Sequence, residues 1–171
     1  MKQKIILKLR NSKVLQRIAT HTYYTGEARK AAGAPPMAAA HIQASHDDNR
    51  QLGDHLAVAC NEIAQLLSTY IAICRTQESD EAAAQGHERV TLFILEPPAN
   101  YPKECARDIE QTIENYAVAR TLQQWLVQNK PDESLPAANE AQQHLTTLRQ
   151  MAALRRRPQR REAPGRKIID F

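Results

Sequence analysis

Glycine is scarce in this 171-residue chain, five in all, which excludes Gly-rich phosphate-cradling loops and collagen-like repeats. Aromatics make up only 5%, and apolar residues, at 42%, fall slightly below the globular norm. That content buries one modest core, and the length suits one domain. No apolar run approaches the roughly 18–20 residues of a membrane span, so no membrane partner is expected. The opening MKQKIILKLR is charged, but its apolar stretch is short and broken by Lys8 and Arg10, unlike a signal peptide. The three cysteines (Cys60, Cys74 and Cys105) form no close-spaced pattern and read as reduced thiols of a cytosol-made protein.

Catalytic and metal strings are missing as well. His41 and His46 make no H-x-x-x-H clamp, and Cys60 and Cys74 make no C-x-x-C clamp. Cys60 and Cys74 fall on an apolar stripe, where free cysteine behaves as a small hydrophobe. His21, His55 and His144 read as ordinary surface or half-buried residues. Asp47 and Asp48 beside His46 are explained by helix-start charge, and no G-x-S-x-G, H-E-x-x-H or Walker string occurs. The expectation is a protein without enzymatic activity, cofactor or metal.

What is present is an uneven distribution of charge. The whole chain carries a formal +4. The arm at 155–171, RRRPQRREAPGRKIIDF, accounts for +5, leaving the first 154 residues at about −1. Such an arm repels itself and buries little apolar surface. It reads as the contact for an acidic surface, either a patch on a partner or nucleic-acid phosphates. Arg155, Arg156 and Arg157 are expected to continue the last helix. Arg160, Arg161, Arg166 and Lys167 would then run extended against an adjacent subunit or an acidic channel wall. Ile168, Ile169 and Phe171 would fill an apolar groove there. No aromatics interleave with the arginines, so any DNA contact would be non-specific and to the backbone.

Residues 4–10 alternate in a period of two and predict a strand. Helical spacing over 13–24 follows, with Gly26 as the expected stop. Residues 26–49 form an Ala/Pro-rich excursion that Pro35 and Pro36 keep from being one helix, with a short helical piece near 37–44. The strongest helical pattern runs from Asp47 or Asp48 to about Arg75, followed by a polar loop at 76–87. Residues 89–96 predict a strand with both faces apolar, and so both covered. Helices over 102–128 and about 136–156, joined by a short turn at 129–134, should be antiparallel neighbours. The fold class is mainly α: a small bundle of about four helices with a minor two-stranded β element. One domain at 1–154 would carry the basic arm. Leu56, Ile63, Ile71, Ile113, Tyr116, Trp125, Leu145 and Leu148 should share the core.

The segments KIILKLRNSKVLQRIATHTYYTG, DDNRQLGDHLAVACNEI, VTLFILEPPANY, IENYAVARTLQQWL and LRRRPQRR carry a resemblance. Together they are similar to short proteins encoded in tailed-phage and prophage structural clusters of gut anaerobes. That resemblance covers most of the chain through short motifs and leaves out the excursion at 26–45. It implies a virion structural protein, a head–tail connector, neck or tail-completion subunit made in the host cytoplasm. Its expected partners are further copies in a ring and virion proteins such as portal, adaptor or tail subunits. The alternative is a small basic-tailed nucleic-acid-binding accessory protein. Against that alternative, the positive charge is confined to the tail and no recognition helix stands out.

Overall fold

The computed structural model describes residues 4–40, 42–78, 89–98 and 100–155. The architecture is mainly α, as expected, with four long helices, one short one and a small antiparallel sheet among the described residues. The sheet has three strands rather than two, in the order β1-β3-β2.

Strand β1, Ile5–Arg10, buries Leu7 and Leu9 and exposes Ile6, Lys8 and Arg10, as its alternation requires. Helix α1, Asn11–Ala31, follows at once and is longer than predicted. Its buried stripe is Val14, Ile18, Thr22 and Gly26. Gly26 therefore lies inside the helix instead of ending it. The stop comes at Gly33, whose φ of +86° places it in the left-handed region. The Gly33 N–H donates to the Lys30 carbonyl at 3.0 Å and the Ala34 N–H to the Arg29 carbonyl at 3.0 Å, closing a Schellman-type end.

Helix α2, Pro36–Ala40, is the short helical piece. The excursion is tied down just beyond it. Ile42 is fully buried in the core, and the Ala44 N–H donates to the buried Thr22 hydroxyl at 3.1 Å. A 3₁₀ turn at His46–Asp48 leads into α3, Asn49–Leu66, which buries Leu52, Leu56, Ala59, Cys60 and Ile63.

The predicted helix to Arg75 stops nine residues early, and Ile71–Glu78 is strand β2 instead. Thr76, Gln77 and Glu78 thus belong to a strand and not to a polar loop. β-Branched Ile71, Ile73 and Thr76 tolerate either state locally, and pairing with β3, Arg89–Leu95, decides for the strand.

Helix α4, Ala106–Asn129, is the central helix, with ten buried residues from Ile109 to Leu126. Helix α5 is Pro131–Ala153. The connection is the single residue Lys130, tighter than the predicted turn, because Pro131 supplies a ready first helical position. One sheet face (Leu7, Leu9, Phe93 and Leu95) joins the core with α1, α3, α4 and α5. Of the eight expected core residues, Leu56, Ile63, Ile113, Tyr116, Trp125 and Leu148 are buried. Ile71 and Leu145 only pack against the core from its margin. They sit at the start of an edge strand and on the rim of an open groove.

Candidate interaction surface

Of the predicted contact residues, Arg155 is within the described structure. It does not continue α5, which ends at Ala153; Leu154 is already extended, with ψ 139°. Arg155 folds back over the helix end, donating to the carbonyls of Ala152 at 3.0 Å and Leu154 at 2.6 Å. Its Nη2 also donates to the Tyr70 hydroxyl at 2.8 Å, and its guanidinium lies 5.4 Å from the centre of that ring. The last carbonyls of α5 draw the cation inward. Arg156, Arg157, Arg160, Arg161, Arg166, Lys167, Ile168, Ile169 and Phe171 lie outside the described residues.

The sheet presents two unlike edges. On β1 the backbone N–H of Lys8 donates to the Glu110 carboxylate of α4 at 2.8 Å, so the fold occupies that edge. On β2 every residue from Ile73 to Glu78 is exposed, and no described strand or helix pairs with its outer side. An unpaired edge of this length is a template for another chain. The strand carries no proline, and Arg75 is its one cation.

The outer face of the sheet is the second feature. Its cross-strand rows are Ile6–Ile94–Ile73, Lys8–Leu92–Arg75 and Arg10–Val90–Gln77. Five aliphatic residues, three cations and a glutamine occupy these nine positions, with no carboxylate among them. Along β3 itself both faces are largely covered, as the sequence suggested, with only Ile94 half-buried, whereas the flanking Ile6 is 59% and Ile73 47% exposed. Val90 and Leu92 are 7% and 8% exposed but stand outside the core cluster. In the register Leu92 stands between Lys8 and Arg75, and Val90 between Arg10 and Gln77. The Ile6, Lys8, Arg10 alternation is readable in the sequence. Arg75 is not, because its segment reads as helix.

Two grooves complete the surface. One, of about 610 Å³, lies between α3, α4 and α5. Tyr116 donates to Glu62 there at 2.5 Å, and Arg120 donates to both Glu62 oxygens at 2.6 and 2.9 Å. Burial works to raise the Glu62 carboxyl, but the Arg120 and Tyr116 hydrogen bonds outweigh it and hold it below the usual value. The other groove, of about 750 Å³, runs between α1, α3 and the sheet, past Gly53, Arg50 and Arg89.

Cys60 is buried and its thiol is pushed up to about 12 by desolvation, consistent with a core position. Cys74 is exposed on β2, not on a helical stripe. His21 is exposed, His55 half-buried, and His144 lies 3.6 Å from Glu140. His41 and the His46 side chain fall outside the described residues. Among the described residues, no group of three or more His, Cys, Asp or Glu is placed to hold a metal ion. No helix among them is long and apolar enough to cross a membrane.

Comparison with family models, curated proteins and solved structures finds no match to this chain.

Proposed function

We propose that this chain is a non-enzymatic virion structural protein: a head–tail connector, neck or tail-completion subunit that packs into a ring. The observation that supports the reading is the unpaired β2 edge, since a neighbouring copy is what such an edge lacks. The resemblance noted in the sequence agrees with it: its first segment folds into β1 and α1, and VTLFILEPPANY contains most of β3. Arg155, the first residue of the basic arm, lies against Tyr70, the residue before β2. A ring subunit joined at this end of the edge would meet Arg155 as well.

Two measurements on the full-length protein test the proposal. Native mass spectrometry over a concentration series should give one closed copy number. Cys74, exposed on β2, should react with a thiol reagent in dilute subunits and be protected in the ring. A strict monomer at all concentrations, or absence of the protein from purified particles, overturns the reading.

A further inference from the structure

We infer that the outer face of the sheet is a docking site for an amphipathic helix of another protein, one flanked by carboxylates along its apolar stripe. The inference stands on the face itself and does not depend on the virion reading.

The argument begins with spacing. Lys8 and Arg75 sit on the two outer strands, each opposite Leu92 on the central one. Two strand spacings separate them by about 10 Å. An α-helix with its side chains is about 10–12 Å wide. A helix laid along β3 therefore meets the exposed row Ile6–Ile94–Ile73 and passes over Leu92 and Val90, which are already buried. It has Lys8 and Arg10 along one side and Arg75 along the other. From Val90 to Ile94 the strand covers about 13 Å, or about nine helical residues. Ile6 and Ile73 widen the apolar end of that bed. Covering a sheet face with a helix is the ordinary way to remove it from water.

Charge then selects the occupant. No carboxylate of the described residues pairs with the side chains of Lys8, Arg10 or Arg75. A helix with glutamates or aspartates beside its apolar stripe would meet all three cations at the rim. A second copy placed face to face would bring six cations together across one interface, which like-charge repulsion opposes. Nor do the described helices of a second copy supply a suitable stripe: Val58, Val127 and Leu135 are single exposed residues, and the Tyr23–Tyr24 pair on α1 is adjacent in sequence rather than spaced along one helical face. Nucleic acid would engage the cations but leave the isoleucines wet, with no aromatic side chain on the face to stack on a base.

The test uses the full-length protein and a labelled, capped peptide of roughly 18 residues, with leucines at i, i+3, i+4 and i+7 flanked by glutamates. The expected result is saturable binding that weakens with salt and broadens the Ile6, Ile73 and Ile94 methyl resonances. The double variant Lys8→Glu with Arg75→Glu should bind at least tenfold more weakly and should prefer the same peptide carrying lysines. Lys8→Gln with Arg75→Gln provides a milder pair should charge reversal disturb folding. Absence of binding overturns the inference, as does binding that neither pair of substitutions alters. It is also overturned if duplex DNA, or vesicles containing phosphatidylserine, take the face more tightly than the peptide. Any of these failures leaves the ring assignment standing, since that rests on the β2 edge.

Discussion

The indole N–H of Trp125 donates to the carbonyl oxygen of Ile42 at 3.0 Å, joining the middle of the Ala/Pro-rich excursion to the central helix. Both residues are buried, so this carbonyl has no water to turn to. Trp125→Phe keeps most of the ring but removes the donor. The expected cost is about 1–3 kcal/mol, from the unsatisfied carbonyl. Urea unfolding followed by far-ultraviolet circular dichroism measures it, because Trp125 is the sole tryptophan. A loss below about 0.5 kcal/mol would show that the excursion is not anchored by this bond.

Ile63 and Leu145 separate centre from margin. Ile63 is fully buried on α3, whereas Leu145 is half-buried at the rim of the α3–α4–α5 groove. Ile63→Ala should cost about 2–5 kcal/mol, and Leu145→Ala should fall below that range because its site is partly hydrated. Equal losses in chemical denaturation would mean that α5 packs more deeply than described.

Two helical glycines should respond with opposite signs. A Cβ at Gly53 meets nothing within 4 Å, so Gly53→Ala should gain about 0.5–1 kcal/mol from reduced chain entropy. A Cβ at Gly26 would lie 2.7 Å from Gln43 Nε2 and 2.8 Å from Gln43 Cγ. Gln43 must then leave its place against α1, and Gly26→Ala should be no more stable than the parent. Thermal melts of the two variants side by side decide this; a rise for both would show that the excursion yields at no cost.

The Glu62 cluster predicts an acid limb. Its folded carboxyl lies below the ordinary value, so it binds a proton more weakly than in the unfolded chain. The resulting stabilisation is complete above the unfolded carboxylate pKa and disappears as pH falls through the folded one. Glu62→Gln should cost about 1–3 kcal/mol near neutrality, since Arg120 and the Tyr116 hydroxyl lose a charged acceptor. The difference from the parent should shrink as pH falls below about 4.3, the unfolded Glu value. Parallel stability curves down to acid pH would contradict that assignment.

Much of this fold was written locally. The alternation over Ile5–Arg10 and the three- and four-residue steps through Leu52, Leu56, Ile63, Ile113 and Leu148 follow from residue type, because each exposes one stripe that water rejects. The lack of catalytic strings and the net positive charge of the arm were equally plain from order and composition, whereas the cluster of Lys8, Arg10 and Arg75 on one sheet face was not. Tertiary structure decided the rest. Ile71 and Cys74 continue the helical spacing of α3, yet they form β2 because β3 offers a ladder of partners that no local window contains. Gly26 reads as a stop until Gln43 packs against it, and the true stop is Gly33. The candidate surface depends on the same non-local choice. Lys8 and Arg10 announce themselves in β1, but Arg75 joins them only once β2 pairs across β3. Sixty-five residues of chain separate Arg75 from Arg10, and only long-range backbone hydrogen bonding sets them two strands apart on one face.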